Sequence, residues 1–358
     1  MKILIPSIYH PFLGGITVHV ENLIKNLSKL DEFEFHILNY SSNSKKYSFD
    51  NVFVHDVPYF KYLRGPSYIL NGYKVGGEII TNEKIDLIHS HYAAPQGFLG
   101  SLLGKKFNIS TVLTLHGSDV LSQSKSAFGK YFFNYAVSNS KKIICVSESL
   151  KNQLKSKNDL NSPYLKSEVI YNGFDENLFN PSNIDEDYGL FVGSLVKQKG
   201  LFYFLEAIKD VDFNFKIVGS GPLKYNILKY IKSKNIDNVE VLGHKSQIDV
   251  SNYVKNCSFL VLPSLSEGLG MTLIEAMASK KAVIGTSVGG IPELITHSNG
   301  YLVPPKDVNS LKTKIKILVE NKPLRKSFGE SGLEFSKKFS WDVSSKKTFE
   351  VYKNLLEK

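Results

Sequence analysis

Short apolar runs alternate with stretches of helical periodicity along most of the chain, and this rhythm predicts the fold. Residues 2–6 are an apolar run of strand length, and between residues 16 and 27 apolar side chains recur at the spacing of one helix face. Short buried strands that alternate with helices are typical of parallel sheets covered on both faces. Further strands are expected at Phe33–Leu38, Asp86–His89, Thr111–Leu115, Lys142–Val146 and Val169–Tyr171, and in a second series at Tyr188–Val192, Phe213–Val218, Val239–Leu242, Ser258–Leu262, Ala282–Gly285 and Tyr301–Val303.

The segment between the two strand series is the predicted domain boundary. Residues 172–187 are rich in Asn, Asp, Gly and Pro, which favours a linker. We therefore expect two doubly wound parallel-sheet α/β domains, at 1–171 and 188–338, with ligands bound beyond the carboxyl ends of their strands. Helices are expected near 94–105, 127–137 and 147–157, a mobile surface loop at 40–50, and a closing helix at Trp341–Leu356 within a terminal segment 339–358.

Composition and charge narrow the classes of function. Of the 358 residues, 42% are apolar and 22% are charged, which is typical of globular proteins, and no apolar run approaches the roughly 18 residues that a membrane span needs. The formal net charge is +10, yet only Arg64 and Arg325 among the 44 basic residues are arginines. Proteins that recognise a specific DNA sequence favour arginine for their contacts with bases, so the lysine excess argues against sequence-specific nucleic-acid binding. It fits either a solvated surface or attraction to an anionic membrane leaflet or lipid phosphate.

The cysteines and the first residues bear on location. Cys145 and Cys257 both lie in apolar strand-like runs, which predicts buried free thiols and a reducing cytoplasm. The apolar stretch at the start is too short for a signal peptide and predicts a buried strand instead. No group of Cys and His residues has the spacing of zinc ligands. We therefore expect a cytoplasmic protein, at the inner face of the membrane if its lysine surface binds anionic lipid.

Two glycines precede the first predicted helix. Gly14 and Gly15 follow His10 and would let the backbone approach a ligand closely and expose helix amides, although a plain turn explains the pair equally well. The dinucleotide fingerprint G-x-G-x-x-G is absent there. Gly219-Ser220-Gly221 supplies only its first half, with Lys224 in place of the third glycine, so a nicotinamide dehydrogenase is poorly supported.

Histidines follow two neighbouring strands of the first half. His116 comes directly after the strand at 111–115, in the segment His-Gly-Ser-Asp that ends at Asp119. A histidine in that place can face a cleft and donate a hydrogen bond, and the alternative is a structural histidine. His89 and His91 end the preceding strand. The alternation of a strand points both the same way, so one is expected to line the cleft and the other to support it.

The second half carries a lysine loop and a pair of glutamates. The loop from Gly193 to Gly200 contains Lys197 and Lys199, a composition that suits a diphosphate, although a solvated basic turn is the local alternative. Glu267 lies in the loop after the strand at 258–262, and Glu275 follows within the first two turns of the next helix. Carboxylates can hold hydroxyl pairs while helix amides hold phosphate, which predicts a sugar-nucleotide site. The amides concerned are those of Gly270, Met271 and Thr272.

With these motifs in place, nearly the whole chain resembles the retaining glycosyltransferases of family four, which have the GT-B fold. The resemblance implies two Rossmann-like domains facing across a cleft, the N-terminal one for the acceptor and the C-terminal one for a nucleotide sugar, with the final helix crossing back to the N-terminal domain. It rests on the glycine pair, the two glutamates and the lysine loop, and on His116-Gly117-x-Asp119, Asn172-Gly173-x-Asp175, Val218-Gly219-x-Gly221-Pro222, Gly289-Gly290-Ile291-Pro292-Glu293 and Asn299-Gly300.

The resemblance also implies roles for individual residues. Glu275 would hold the ribose hydroxyls, Glu267 the hydroxyls of the transferred sugar, and His116 would lie beside that sugar. Lys199, the glycines at 14, 15 and 219, and the amides from Gly270 to Thr272 would serve the diphosphate. The acceptor-side candidates are His10, His91 and Asp119, and no obligatory metal or other cofactor is implied. Ser194 stands where the family usually has arginine, and it offers a neutral hydrogen bond instead of a forked charge. Stabilisation of the leaving group would therefore depend more on Lys199.

The expected activity is therefore the transfer of a hexose-type sugar from a UDP-, GDP- or other nucleotide sugar. The acceptor would be a glycan, a lipid-linked glycan or a small molecule, with retention of configuration. Two alternatives stay open at this point. A sugar-nucleotide epimerase shares the two-domain fold and needs no acceptor. A catalytically weak homologue that only binds the nucleotide sugar would also be consistent with Ser194.

Overall fold

The structure contains two compact α/β units, each of which has one wholly parallel sheet. The first unit is Met1–Gly173 together with Trp341–Lys358, and the second is Phe174–Ser340. The predicted α/β class with two parallel sheets is confirmed. Among the described residues, no helix combines the length and the apolar character needed to cross a bilayer. The computed structural model describes residues 1–11, 14–40, 50–60, 62–123, 127–155 and 162–357, and the loop expected at 40–50 lies almost wholly outside these ranges.

The first unit is built around seven strands. Its elements in chain order are β1 (Lys2–Ser7), α1 (Gly15–Leu27), β2 (Glu34–Asn39), β3 (Val52–Asp56), α2 (Arg64–Glu83), β4 (Leu87–His91), a π-helical turn (Ala93–Gly97), α3 (Phe98–Phe107), β5 (Ser110–Leu115), α4 (Ser118–Gln123), α5 (Ala127–Asn139), β6 (Lys142–Cys145), α6 (Glu148–Asn152), β7 (Ser167–Val169) and α14 (Trp341–Leu356). The strand order is β3-β2-β1-β4-β5-β6-β7.

Alternating residues of β1 bury opposite faces of this sheet. Ile3 and Ile5 pack with α1 and with Trp341 and Tyr352 of α14, whereas Leu4 packs on the side of α2 and α3. Successive strand residues point to opposite faces, so a strand of consecutive apolar residues fits a sheet that has helices on both sides. Helix α14 thus completes one of the two hydrophobic layers of the first unit.

Three elements of the first unit were not predicted from the sequence: β3, α2 and the short helix α4. Helix α2 contains several glycines, which are typical of turns in isolated sequence. Two of them lie against α3: a β-carbon at Gly72 would come 2.5 Å from a methyl group of Leu99, and one at Gly76 would come 2.7 Å from a methyl group of Leu103. The glycines therefore permit close packing of two helices, and this packing outweighs their poor helix propensity.

Two expected elements end earlier than the sequence pattern suggested. The strand expected at Val169–Tyr171 is observed as β7, Ser167–Val169, and pairs with β6. The helix expected near 147–157 is a short one, α6, which ends at Asn152. Its first turn is capped by the Ser147 side chain, which accepts a hydrogen bond from the amide of Leu150 at 3.2 Å. Cys145 and Cys257 are both buried free thiols, as the sequence predicted.

The second unit is built around six strands. Its elements are β8 (Tyr188–Val192), a 3-10 turn (Lys197–Lys199), α7 (Leu201–Ile208), β9 (Asn214–Val218), α8 (Lys224–Ser233), β10 (Val239–Gly243), α9 (Gln247–Asn256), β11 (Phe259–Leu262), α10 (Met271–Ala278), β12 (Ala282–Thr286), α11 (Ile291–Leu294), β13 (Gly300–Val303), α12 (Val308–Glu320), α13 (Lys322–Ser336) and a 3-10 turn (Lys337–Phe339). The strand order is β10-β9-β8-β11-β12-β13, so β8 and β11 are neighbours and the chain order reverses between them. Ligands bind at such a switch point in open α/β sheets.

Candidate active site

The lysine loop and the Glu267 loop meet at the carboxyl ends of β8 and β11. The ammonium of Lys199 and the carboxylate of Glu267 form an ion pair with an Nζ–Oε2 distance of 2.6 Å. The Ser264 hydroxyl donates to the same oxygen at 3.0 Å. Both side chains of the pair are largely but not fully buried, with 23% and 15% of their surface exposed. A cation and an anion are therefore held together at an accessible position of the second unit.

Gly200 explains how the two loops approach each other. Its φ is +66°, in the left-handed region that favours glycine, and a β-carbon there would lie 2.0 Å from the carbonyl oxygen of Pro263. In addition, the amide of Leu265 donates to the carbonyl of Gln198 at 2.6 Å. A side chain at position 200 would push the loops apart and separate Lys199 from Glu267.

Gly289 supports the Glu267 loop from the other side. Its φ is +54°, and a β-carbon would lie 1.8 Å from the main-chain oxygen of Glu267. The turn that contains it follows β12 and leads into α11. The Gly-Gly-Ile-Pro-Glu segment thus holds the Glu267 backbone in place.

The amino end of α10 lies in the same loop region. Gly270 caps the helix with φ +104°, and no side chain in the described part of the chain bonds to the amides of the first turn, where Met271 and Thr272 are half-buried. Uncapped first-turn amides are suited to an anionic group.

Glu275 is on the second turn of α10, half-buried, and its carboxylate makes no hydrogen bond or ion pair with any residue that the structure describes. Burial raises the pKa of this carboxyl to about 7. Where a protein carboxylate is buried for structure alone, it is normally paired, so an unpaired one is a candidate binding group.

Two further residues named from the sequence lie at the edge of this site. Ser194 is exposed directly after β8, and its main-chain oxygen accepts from the amide of Val196 at 2.9 Å. Gly219 follows β9, and its amide donates to the carbonyl of Gly243 at 2.8 Å. The Gly219 amide is therefore already occupied, whereas the Ser194 hydroxyl faces solvent.

In the first unit, Asp119 holds the turn that carries His116. The Asp119 carboxylate is fully buried and accepts from the amides of Gly117 at 2.8 Å, Val120 at 3.1 Å, His116 at 3.2 Å and Ala93 at 3.3 Å. Burial raises its pKa to about 6, against the lowering effect of these main-chain bonds. The geometry makes Asp119 a positioning residue for the His116 turn rather than a group open to a ligand.

His116 belongs to a cluster of imidazoles. Nδ1 of His91 lies 3.2 Å from Nε2 of His116, and the His19 ring packs edge-on against His116 with centroids 4.8 Å apart. His89 is bonded instead to the hydroxyls of Tyr352 and Thr114, at 2.5 and 2.7 Å. Burial lowers the pKa of His116 to about 4, so its imidazole is neutral at physiological pH.

The cluster bears out the alternation expected for the two histidines of β4, whose rings lie side by side with centroids 4.3 Å apart. Both are fully buried, and His91 is the one that contacts His116. His19 was not predicted as a site residue, and it lies on the buried face of α1, three residues after Ile16. That spacing places it on the apolar stripe and was the available signal.

The glycine pair at the start of α1 is open. Gly14 caps the helix in an extended conformation and Gly15 is its first residue, and both are exposed. No atom of the described residues, chain neighbours aside, lies within 4 Å of a β-carbon built at either position. The internal packing of the first unit therefore does not require glycine at either position. His10 lies nearby in sequence, with its ring nitrogen 3.4 Å from a carboxylate oxygen of Glu21.

Two groups of described residues have nitrogens and oxygens close enough to hold a metal ion. His19, His91 and His116 offer atoms within 4.8 Å of one another, and the contact between the last two is a hydrogen-bond distance. Glu34, His36 and Glu83 form the other group, in which the ammonium of Lys2 contacts both carboxylates, at 2.8 Å from Glu34 and 3.4 Å from Glu83.

Comparison with known proteins agrees with this architecture. The family model described as Glycosyltransferase Family 4 matches residues 13–178, and the one described as Glycosyl transferases group 1 matches residues 174–335. The uncharacterized glycosyltransferase MJ1178 of Methanocaldococcus jannaschii is 50% identical over 359 residues, which cover 99% of each chain.

Solved structures show the same fold at lower identity. The sucrose-phosphate synthase of Thermosynechococcus elongatus superposes with a TM-score of 0.85 at 20% identity, covering 99% of both chains. Anabaena Alr3699/HepE, in complex with UDP and glucose, superposes with a TM-score of 0.79 at 19% identity, covering 99% of this chain and all of the other. The chain therefore belongs to glycosyltransferase family four, the retaining, nucleotide-sugar-dependent glycosyltransferases of the GT-B fold.

Proposed function

We propose that this glycosyltransferase moves a hexose-type sugar from a nucleoside-diphosphate sugar to a glycan, lipid-linked or small-molecule acceptor. Residues 188–338 would bind the donor and residues 1–171 the acceptor, joined by the segment 172–187. The observation that carries the proposal is the Lys199–Glu267 ion pair beside the uncapped end of α10. UDP-sugars are the first donors to test, because the similar Anabaena protein was crystallised with UDP and glucose.

Lys199 and the α10 amides would stabilise the diphosphate as it leaves. Negative charge on the leaving group grows as the glycosidic bond breaks, and a preorganised ammonium and helix amides stabilise that charge without further rearrangement. Without donor, Glu267 neutralises Lys199 at 2.6 Å. When a diphosphate binds, Lys199 gains a second anionic partner, while Glu267 can accept hydrogen bonds from the sugar hydroxyls. The Ser264 hydroxyl keeps Glu267 in position.

Glu275 would hold the ribose. Its carboxylate has no partner among the described residues, lies one turn beyond the amides of Met271 and Thr272, and can accept bonds from two neighbouring hydroxyls. Ionisation of a buried carboxyl is unfavourable, so donor hydroxyls would stabilise the charged form. This assignment places the two glutamates at opposite ends of one donor.

His116 would donate a hydrogen bond to the transferred sugar. In the proposed arrangement His91 donates from Nδ1 to Nε2 of His116, which keeps the proton of His116 on Nδ1. Asp119 would act through the His116 turn, and Gly14 and Gly15 would approach the diphosphate with their exposed backbone. His10 would serve the acceptor side. The net charge of +10 supports peripheral contact with anionic lipid.

A screen of UDP-, GDP-, ADP- and dTDP-sugars tests the proposal, with binding followed by thermal shift and transfer or hydrolysis followed by nucleotide release. We expect one nucleotide class to bind and to be consumed, and Lys199→Ala to lose turnover by more than its loss of donor affinity. Lys232→Ala, an exposed lysine of α8, is the matched control. If Lys199→Ala turns over like the wild type, the diphosphate binds elsewhere.

A second candidate is a weak or inactive nucleotide-sugar binder, which the exposed, uncharged Ser194 favours. It predicts binding of a donor that is neither transferred nor hydrolysed. An epimerase would instead convert the donor to an isomer without any acceptor, which chromatography of the recovered nucleotide sugar would reveal.

A further inference from the structure

A polar cavity lies near the amino ends of the strands of the six-stranded sheet, whereas the lysine loop follows the carboxyl end of β8. Its walls include residues that immediately precede β8, β11 and β12, together with the first half of α13. The donor loops follow the carboxyl ends of the same strands, so the strand length separates the two places. The cavity has a volume of about 430 Å³, and five basic side chains line it against two acidic ones. These are Lys280, Lys281, Lys322, Arg325 and Lys326, against Asp185 and Glu330.

Lys281 is the least expected of these cations. The residue is 4% exposed, and its ammonium donates to the carbonyl of Ile184 but forms no ion pair with any described residue. Burial lowers its pKa, and the electrostatic effects of Cys257 and Asp185 oppose this without reversing it. An ammonium has three donors, and a buried charge without a counter-charge is costly, so this arrangement is incomplete.

The Asp185 carboxylate is not available to Lys281, because it is bound to Arg325. The Arg325 guanidinium is 4% exposed, holds Asp185 at 2.9 Å and donates to the carbonyls of Leu318 and Val319 at the end of α12. The other oxygen of Asp185 accepts from the Ser258 hydroxyl. Asp185 is thus committed within the wall. Lys322 is paired with Asp187 at 3.1 Å, so Lys281 and Lys326 are the lining cations that form no ion pair with a described residue.

Helix α13 adds positive potential from its amino end. Lys322, Lys326 and Glu330 recur every four residues and so lie on one face of this 15-residue helix. Glu330 lies 3.5 Å from Lys280, whereas Lys326 makes no ion pair with a described residue. The Asn321 side chain already caps the Leu324 amide, so the helix contributes its dipole, and the two unpaired lysines supply the charge that attracts an anion.

We propose that this cavity is a second anion site that binds a phosphomonoester, with Lys281 and Lys326 as its principal ligands. A phosphate dianion supplies the charge and the several acceptor oxygens that the lysines lack. The volume exceeds that of inorganic phosphate alone and admits a small polar group attached to it. The same chemistry is offered by a free sugar or glycerol phosphate and by the headgroup of phosphatidic acid.

Titration calorimetry with glycerol 3-phosphate and with inorganic phosphate tests the site in the full chain. The Lys199→Met background removes the donor-site lysine, and binding to the cavity should persist there. Lys281→Met keeps the packed stem and removes the charge, and should weaken binding roughly 10- to 100-fold, as for loss of a charged hydrogen bond. Lys326→Ala, at an exposed position that leaves folding intact, should weaken it less. Lys232→Met on α8 is the control and should bind as the background does.

The outcome identifies the source of the phosphate as well. Flotation with vesicles of phosphatidic acid in phosphatidylcholine, compared with phosphatidylcholine alone, should be reduced by Lys281→Met and Lys326→Ala if the ligand is a lipid headgroup. If only the soluble esters depend on these lysines, the ligand is free. The proposal is overturned if neither probe binds, if binding disappears with Lys199→Met alone, or if binding in that background is unaffected by Lys281→Met and Lys326→Ala.

Discussion

Replacement of Glu275 by glutamine should stabilise the free protein above neutral pH. Burial raises the pKa of the Glu275 carboxyl from 4.5 to about 7. At 1.36 kcal/mol per pKa unit, ionisation in the folded state costs at most about 3 kcal/mol more than in the unfolded chain. Below the unfolded pKa both states are protonated and the penalty vanishes, and it develops as the pH rises from there through about 7. Glutamine has the same shape without the charge, so its stabilising effect should follow the same pH range.

The assay is thermal unfolding of the wild type and Glu275→Gln across a series of pH values from about 4.5 to 8. For a unit the size of Phe174–Ser340, about 3 kcal/mol corresponds to a rise in Tm of roughly 6–12 °C at the upper end, and almost none at the lower. Glu320→Gln changes an exposed glutamate of α12 and is the matched control. A Tm difference that does not change with pH, or that the control reproduces, would refute the reasoning.

The same variant should bind donor more weakly. The wild-type carboxylate accepts two hydroxyl bonds in the proposed site only when ionised, so donor affinity should increase as the pH rises through about 7. Loss of a charged hydrogen bond is worth roughly 10- to 100-fold in affinity. Calorimetry with the nucleoside diphosphate should show this loss and a flat pH profile for Glu275→Gln. Equal affinities would remove Glu275 from the ribose site while leaving its effect on stability intact.

Three further predictions concern other residues of the proposed sites. Glu267→Gln should lower kcat more than it raises the donor KM, because the wild-type carboxylate stabilises the positive charge that develops on the sugar in the transition state. Steady-state kinetics with a folding check decide this. Ser194→Arg should tighten nucleoside-diphosphate binding by about 1 kcal/mol through a charged hydrogen bond, and unchanged calorimetric affinity would count against a diphosphate near β8. Asp119→Asn should destabilise the first unit by about 1–3 kcal/mol and lower kcat by displacing His116, and a variant with wild-type Tm and kcat would contradict its positioning role.

The apolar pattern predicted most of the strands and helices, because the burial of an element is visible as apolar periodicity in its own sequence. β8 and α14 have the bounds that the pattern predicted, Tyr188–Val192 and Trp341–Leu356. The pattern failed at α2, where glycines serve contacts with Leu99 and Leu103 of α3 that lie outside the segment. A local signal cannot report the partner that makes a poor helix former favourable.

The sequence by itself determined which residues stand at strand ends, including His116, Glu267 and the lysine loop, since strand boundaries follow from local hydrophobicity. Only the tertiary structure decided which of them meet. Lys199 and Glu267 are 68 residues apart and pair because β8 and β11 are neighbours in the sheet. Three of the four amides that hold Asp119 are local, but the fourth, from Ala93, comes from a segment 26 residues earlier in the chain. Charge pairing and desolvation are set by three-dimensional neighbours, and spacing along the chain does not contain them.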